Sequence, residues 1–223
     1  MKSYLNDSIV LSPDQFQILL GTGLGDGHFS RRSSGNTYFI TNCRLSSGEY
    51  LEWKYQELGS TGLFVRGPHL GTHSSFRLGR VRVVRERWLL TSRRHPFLNQ
   101  FRDLFYPAGK KVVTREILSE ISPLGLAVWF MDDGNLSVWG KDGRYSNLRL
   151  CTQSFTYQEH VTMREWFIDK WKLPFRINRS GSKGNKWGLV LSKKDYVNGF
   201  LEMVAPHINV SCMRYKLGSL YLT

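Results

Sequence analysis

Residues Leu126–Gly134 read Leu-Ala-Val-Trp-Phe-Met-Asp-Asp-Gly, an apolar run that closes on two aspartates and a glycine. Ser122 and Pro123 stand shortly before this run. Serine at a helix cap, followed by proline at the first helical position, is a common helix start. The pattern predicts a helix that begins after Ser122 and presents Asp133 at its C-terminal end.

A diverged copy of this stretch lies in the first half of the chain. Ser12 and Pro13 again precede an apolar run, which ends at Asp26 and a glycine, and the closing aspartates of the two copies are 107 residues apart. Weaker matches recur downstream at nearly the same spacing. Because such recurrence is typical of an internal duplication, we expect two repeats, at 1–115 and 116–223.

Hydrophobic periodicity predicts the same order of elements in each copy: a helix, two strands, a helix, two strands and a final helix. The expected fold class is α+β, with two pseudo-symmetric αββαββα repeats. Further helices are expected at Gly48–Leu58 and Pro96–Phe105. Strands are expected at Thr37–Leu45, Gly62–Arg66, Phe76–Leu90, Asn147–Thr152, Phe175–Arg179 and Trp187–Leu191.

Each motif helix ends with an aspartate followed by a glycine. The helix dipole is negative at the C-terminus and disfavours an anion there by about 0.5 kcal/mol. For one isolated pair a simple turn would be the ordinary interpretation. The recurrence at Asp26 and Asp133 instead indicates a counterion, for which Mg²⁺ is suited because it prefers carboxylate oxygens. Gly27 and Gly134 are suited to the left-handed conformation that often ends a helix.

Glycine also recurs within the first motif helix, at Gly21, Gly23 and Gly25. Each glycine costs about 1 kcal/mol relative to alanine inside a helix, and close approach of another backbone would offset that cost. A phosphate-binding glycine loop is the alternative for residues 21–27. It is disfavoured because no lysine follows at the spacing of such loops.

The composition indicates a soluble protein with a polyanionic partner. The 223 residues include 31 Lys and Arg against 18 Asp and Glu, a net charge of +13, which favours nucleic acid over an anionic membrane. No stretch approaches the roughly 20 apolar residues of a membrane span. We expect an intracellular protein, in a bacterial cytoplasm or an organelle matrix. Cys43, Cys151 and Cys212 lack the spacing of a disulfide framework or zinc knuckle.

Both motifs, Leu19–Gly27 and Leu126–Gly134, resemble the LAGLIDADG motif, and the match extends through Thr152–Phe155 and Tyr215–Leu217. The chain is similar to the two-motif, monomeric homing endonucleases of mobile introns. The resemblance implies that the motif helices pack at a pseudo-two-fold axis. It also implies that a curved antiparallel sheet from each repeat, backed by helices, lies in the DNA major groove. The implied activity is metal-dependent double-strand cleavage of a long asymmetric DNA target.

The resemblance implies roles for particular residues. The eighth motif residue of each helix binds metal in this family, which corresponds to Asp26 and Asp133 and implies Mg²⁺ as the cofactor. A basic residue late in each repeat lies near each metal centre. Lys111 and Lys216 match it by position, and Lys110 is the adjacent alternative.

Two positions differ between the copies. Gln153 resembles a polar residue that helps to order water in the active site, and its counterpart in the first repeat lies around Arg44 or Leu45. Asp132 precedes the second motif aspartate, whereas Gly25 precedes the first. Asp132 is therefore a secondary candidate for the site.

Basic residues are spread over the predicted strands and hairpin loops of both repeats, and we expect them to contact DNA. An arginine on a groove-facing strand can bind guanine O6 and N7. The candidates are Arg31, Arg32, Arg66, Arg77, Arg80, Arg82, Arg144, Arg149, Arg176, Arg179, Lys183 and Lys186. An ordinary solvated surface is the alternative for any one of them, and the sequence does not divide them between bases and phosphates.

Two other functions fit the same fold. An RNA maturase that assists intron splicing would also present a basic surface, and a DNA-binding regulator would keep the fold without cleavage. Asp26 and Asp133 favour the nuclease, because neither alternative requires acids that bind metal. The divergence of the two copies predicts that the protein acts as a monomer.

Overall fold

The computed structural model describes residues 9–31, 35–76, 82–139, 145–180 and 186–218. The first repeat contains α1 (Pro13–Leu24), β1 (His28–Ser30), β2 (Tyr38–Cys43), α2 (Gly48–Gly59), β3 (His69–Phe76), β4 (Arg82–Thr91) and α3 (Asn99–Phe105). A short helix, α4 (Arg115–Ser119), leads to the second repeat. That repeat contains α5 (Pro123–Asp133), β5 (Gly134–Trp139), β6 (Tyr145–Leu150), α6 (Tyr157–Trp171), β7 (Arg176–Ser180), β8 (Lys186–Leu191) and α7 (Lys194–Val204). A terminal 3₁₀ helix spans Ser211–Leu217.

The two sheets have the same topology. Their strand orders are β1-β2-β4-β3 and β5-β6-β8-β7, and the paired strands are antiparallel. In both sheets the two hairpins meet along their second strands, β2 against β4 and β6 against β8. The α+β class and the two αββαββα repeats expected from the sequence are confirmed.

The motif helices begin as their sequences predict. Ser12 Oγ accepts a hydrogen bond from the backbone N–H of Gln15 at 3.2 Å, and Gln15 Oε1 accepts one from the N–H of Ser12 at 3.0 Å. Ser122 Oγ accepts from the N–H of Gly125 at 3.4 Å. These bonds satisfy N–H groups that have no partner within the helix. Both helices therefore have fixed starting points.

The helices α1 and α5 pack against each other at the centre of the molecule. A Cβ atom at Gly21 would lie 2.3 Å from the carbonyl oxygen of Gly125, so the two backbones approach to a distance that a side chain would prevent. Gln17 accepts a hydrogen bond from the N–H of Ser122 at 2.9 Å. The predicted close approach is confirmed at Gly21, whereas Gly23 makes room for aromatic rings of its own repeat.

Some local predictions were wrong. Gly62–Arg66 is not a strand: Gly62 has φ +66° in a turn, and Leu63 and Phe64 are buried in an irregular segment. The strand that forms a hairpin with β4 is β3, which starts at His69. β1 and β5 were not predicted. Each begins one or two residues after a motif aspartate, where the sequence indicates only a turn.

The prediction of left-handed helix ends at Gly27 and Gly134 was also wrong. Gly134 has φ −79°, and the described glycines with positive φ lie elsewhere in the chain. A Cβ atom at Gly134 would lie 2.0 Å from Cδ2 of Phe130, and one at Gly27 would lie 2.6 Å from the carbonyl oxygen of Thr22. Both positions therefore require glycine because a Cβ atom would overlap neighbouring atoms, and not because of the backbone conformation.

The core is continuous across the two repeats, and α5 is buried from Gly125 to Met131. The largest fully buried side chain is that of Trp129 in this helix. In the described ranges, no helix is both long and apolar enough to cross a bilayer.

Candidate active site

The ends of α1 and α5 bring the motif acids of the two repeats together. Asp26 lies two residues beyond α1, and its backbone N–H donates a hydrogen bond to Asp132 Oδ2 at 3.2 Å. Asp133 is the last residue of α5. A Cβ atom at Gly25 would lie 2.5 Å from Cβ of Asp132. The glycine that precedes Asp26 therefore makes room for the acid that precedes Asp133.

Both motif aspartates have raised pKa values. Desolvation, followed by the charge of Asp132, raises the pKa of Asp26 to about 6, although the residue is exposed by its accessible surface. Desolvation, followed by the charges of Asp26 and Asp132, raises the pKa of Asp133 to about 8. The nearby lysines lower both pKa values but do not offset these effects. The site thus disfavours the ionised form of both acids.

Lys111 and Lys216 occupy equivalent positions at the two helix ends. Lys111 Nζ donates to the carbonyl oxygens of Gly25 at 2.7 Å and Gly27 at 3.1 Å. Lys216 Nζ donates to that of Phe130 at 3.1 Å, and it also binds the carbonyl oxygens of the next two residues. Carbonyls at a helix end lack partners within the helix, so a cation is favourable there.

Burial changes the acidity of both lysines. It lowers the pKa of Lys111 to about 8, against the opposing effect of the aspartates, and it also lowers the pKa of Lys216. Lys110, the alternative left open by the sequence, is exposed. The structure therefore brings Lys111, rather than Lys110, to the motif.

Lys54 was missed by the sequence interpretation. Its Nζ lies 2.9 Å from Asp132 Oδ1, both side chains are 1% exposed, and the ammonium group sits 4.2 Å from the centre of the Tyr50 ring. Tyr50 Oη donates to the carbonyl oxygen of Val128 at 3.3 Å. A signal existed, because Lys54 shares the helical face of Tyr50, Leu51 and Leu58, which are all buried.

Basic side chains of the first sheet lie close to Asp26. A cavity of about 380 Å³ is lined by Asp26, Arg44, Arg85, Arg87 and Tyr215, among others. Arg85 and Arg87 were also missed by the sequence interpretation. Their spacing of two residues on β4, which puts both on one face, was an available signal.

A second polar cavity, of about 320 Å³, lies on the second sheet. It includes Asn135, Arg149, Gln153, Asn178 and Arg179. The backbone N–H of the neighbouring Cys151 donates to the carbonyl oxygen of Asp133 at 2.9 Å. Two of the predicted DNA-binding arginines and the predicted water-ordering glutamine therefore share one surface that begins beside Asp133.

The other predicted DNA-binding residues are scattered. Arg31 forms an ion pair with Asp103 at 3.1 Å, so its charge is paired within the first repeat. Arg176 donates a hydrogen bond to Ser192 Oγ at 2.9 Å. Arg66 and Lys186 are exposed. Arg82 begins β4. Five predicted residues lie outside the described part of the chain: Arg32, Arg77, Arg80, Arg144 and Lys183.

Curated relatives match most of this chain. It is 31% identical over 217 residues to a protein named Protein RecA from Mycobacterium shimoidei, covering 93% of this chain and 47% of the relative. It is 27% identical over 217 residues to cytochrome b mRNA maturase bI2 of Debaryomyces hansenii, covering 96% and 78%. The chain spans about half the length of the RecA relatives named first among its matches.

Solved structures share the fold. The homing endonuclease I-WcaI bound to its DNA recognition sequence has a TM-score of 0.76 at 21% identity, covering 97% of this chain and 94% of that chain. I-DmoI in complex with DNA and Mn has a TM-score of 0.52 at 10% identity, covering 88% and 99%. Residues 16–197 match the family described as the LAGLIDADG DNA endonuclease family, a region that includes both motifs and both sheets. The chain therefore belongs to the LAGLIDADG DNA endonuclease family.

Proposed function

We propose that this protein is a site-specific homing endonuclease that hydrolyses both strands of a long asymmetric DNA target. The observation that carries the proposal is that Asp26 and Asp133, one from each repeat, lie close enough for their charges to interact, with a lysine bound at each helix end. The matched family is one of DNA endonucleases, and I-WcaI has been solved on its DNA recognition sequence. The repeats 1–115 and 116–223 would each supply one acid and one lysine.

Asp26 and Asp133 would hold a divalent cation, for which we propose Mg²⁺. Their raised pKa values support this, because ionised carboxylates at neutral pH would need a cation beside them. Within the described residues, no group of three or more His, Cys, Asp and Glu side chains could hold the ion alone. DNA phosphate and water would supply the other ligands, as is common for Mg²⁺.

A bound divalent cation supplies Lewis acidity at the phosphate and lowers the pKa of water. I-DmoI, which shares the fold, has been solved with DNA and Mn. Lys111 and Lys216 would stabilise the negative charge that develops on the phosphate during hydrolysis. With its pKa near 8, Lys111 can also exchange a proton close to neutral pH. Gln153 would help to order water beside Asp133.

The sheets would bind the two halves of the target. Arg85 and Arg87 on the first sheet and Arg149 and Arg179 on the second differ in their surroundings, so the two half-sites should differ in sequence. Such a chain would act as a monomer, with base contacts that confer specificity and phosphate contacts that position the protein.

A maturase function is the second candidate. Its support is the 27% identity to a cytochrome b mRNA maturase, which extends over 96% of this chain. A maturase would bind intron RNA on the same basic surface and would not need ionisable acids at positions 26 and 133.

Cleavage of a randomised duplex library, with the ends sequenced, tests the main proposal. We expect Mg²⁺-dependent double-strand breaks at one long asymmetric site, lost in Asp26→Asn and Asp133→Asn. Asp14→Asn is the matched control, because Asp14 is exposed in the first turn of the same helix that leads to Asp26. Specific binding without cleavage under any divalent ion would contradict the proposal, and selective binding of intron RNA would favour the maturase.

A further inference from the structure

The segment that carries Lys111 is held by a glutamate of the second repeat. Glu159, in the first turn of α6, accepts a hydrogen bond from the backbone N–H of Val113 through Oε1 at 2.8 Å. Its Oε2 accepts from the N–H and the hydroxyl of Thr156, both at 2.7 Å. Val113 is 3% exposed, so its N–H has little access to water. One carboxylate thus caps α6 and fixes the chain two residues beyond Lys111.

The segment that carries Lys216 is held by a glutamate of the first repeat. Glu49, in the first turn of α2, accepts from the N–H of Ser211 at 3.2 Å, from its hydroxyl at 2.6 Å and from the N–H of Cys212 at 3.3 Å. These residues begin the terminal 3₁₀ helix, which contains Lys216 near its end. The bond to the Ser211 hydroxyl is the main cause of a lowered pKa for Glu49.

The two contacts are similar but not identical in the two repeats: Glu159 binds the chain two residues after Lys111, and Glu49 binds it four and five residues before Lys216. Glu49 and Glu159 both lie in the first turn of the middle helix of a repeat, and both accept from backbone N–H groups of a distant segment. Glu159, from the second repeat, holds the segment of Lys111, which binds at the end of α1 in the first repeat. Glu49, from the first repeat, holds the segment of Lys216, which binds at the end of α5 in the second. The arrangement is therefore crossed, since each repeat fixes the lysine of its partner.

We infer that Glu49 and Glu159 are positioning residues that hold Lys216 and Lys111, respectively, so that each cleavage centre is completed by the opposite repeat. This inference rests on the proposed endonuclease function. Neither glutamate bonds to a lysine amine. Each acts through the backbone of the segment that carries the lysine, and a functional side chain must be held to within about 0.5 Å by such supporting contacts.

Amide hydrogen–deuterium exchange tests the contacts without requiring cleavage. Glu159→Ala should speed exchange at residues 111–114 and leave residues 211–217 at the wild-type rate, and Glu49→Ala should do the reverse. Glu159→Gln should speed exchange at residues 111–114 less than Glu159→Ala does, because its single amide oxygen can still accept from Val113, although its NH2 group cannot accept from the N–H of Thr156. Thr156→Ala is the matched control: it removes the cap of α6 and leaves the bond to Val113. Glu52→Ala is the control on α2.

Strand-resolved cleavage tests the function of the contacts. With each strand of the target labelled separately, Glu159→Ala should slow the cutting of one strand about tenfold and Glu49→Ala should slow the other. Nicked DNA of opposite polarity should accumulate, with DNA affinity in Ca²⁺ unchanged. Equal slowing of both strands, or wild-type rates despite faster local exchange, would overturn the inference and leave the nuclease standing. If the wild-type protein cuts no DNA, the proposed function fails, and unchanged exchange in both variants would then overturn the contacts as well.

Discussion

Lys54 and Asp132 form a buried ion pair between the two repeats, with 2.9 Å between Nζ and Oδ1 and with both side chains 1% exposed. The second carboxylate oxygen of Asp132 accepts from the backbone N–H of Asp26. One buried acid therefore connects the middle helix of the first repeat to both motif ends. Such a pair stabilises little relative to an apolar replacement, but the loss of one partner leaves a charge without compensation.

We expect Lys54→Met to lower the free energy of unfolding by about 3–5 kcal/mol, because Asp132 would keep a buried charge without its partner. Urea denaturation measures the change. Lys110→Met, which alters an exposed lysine, is the control and should stay within about 0.5 kcal/mol of wild type. The double variant Lys54→Met with Asp132→Asn should recover part of the loss. Additive losses in the double variant would show that the two side chains are not coupled.

The close contact of the motif helices makes a second prediction at Gly21. Gly21→Ala puts a Cβ atom 2.3 Å from the carbonyl oxygen of Gly125 and 2.9 Å from Cβ of Val128. We expect a loss of about 1–3 kcal/mol in stability, as for other overpacked cores. Gly199→Ala is the control, since it lies within α7 with no atom within 4 Å of the added Cβ, and it should gain up to about 1 kcal/mol. Thermal unfolding of both variants measures these changes. An unchanged stability of Gly21→Ala would contradict the close approach of the two helices.

The pKa of Asp133 sets a pH dependence for the metal-free protein. Its pKa rises from 3.8 to about 8 on folding, so the folded state holds the proton more tightly. The proton on Asp133 therefore stabilises the folded state fully below about pH 4, and this stabilisation is lost as the pH rises towards 8. Asp133→Asn should therefore increase the free energy of unfolding near pH 7 by more than about 1 kcal/mol, the equivalent of one pKa unit. It should have little effect near pH 4.

Urea titrations in the presence of EDTA at both pH values measure this difference. Lys111 has the opposite dependence, because its pKa falls from 10.5 to about 8, and its contribution rises with pH only above 8. Measurements below pH 8 therefore report mainly on the aspartates. A destabilised Asp133→Asn near pH 7 would mean that the lysines outweigh desolvation at this carboxyl.

The sequence was sufficient for the motif helices and for much of the site. Asp26 and Asp133 were predicted because the duplication repeats both their residue type and their spacing, whereas Lys111 and Lys216 were predicted from the resemblance to the LAGLIDADG proteins; the structure places all four side chains at the ends of the motif helices. Lys54 could not, since its burial depends on Asp132, which lies 78 residues away in the chain. A lysine on an apolar helix face gives only a local hint, and its partner comes from the folded arrangement.

The strand predictions succeeded and failed for a similar reason. β2 and β8 were predicted because apolar and β-branched residues are dense there, and both lie at the centre of a sheet. Gly62–Arg66 has comparable residues, but Leu63 and Phe64 fill the core from an irregular segment. A run of apolar residues indicates that a segment is buried, whereas its pairing as a strand depends on partners that are distant in the sequence.

The cavity beside Asp133 predicts which arginines contact DNA. Arg149→Ala should weaken binding to the specific target by about 1–3 kcal/mol and relax the preference at one base pair, if its side chain contacts a base. Binding in Ca²⁺ to a panel of single-base target variants measures both effects. Arg115→Ala is the control, since Arg115 pairs with Asp169 between α4 and α6. Uniform weakening over all targets, with a shallower salt dependence, would assign Arg149 to a phosphate instead.

The unequal pair formed by Gly25 and Asp132 bears on the ancestry of the chain. A symmetric dimer made from two second repeats would bring together two Asp132 side chains where the present contact has room for one. A dimer made from two first repeats would have two copies of Lys54 and no acid at this position to pair with them. Neither repeat could therefore form this contact with a second copy of itself, and each repeat supplies a side chain that fits only the other.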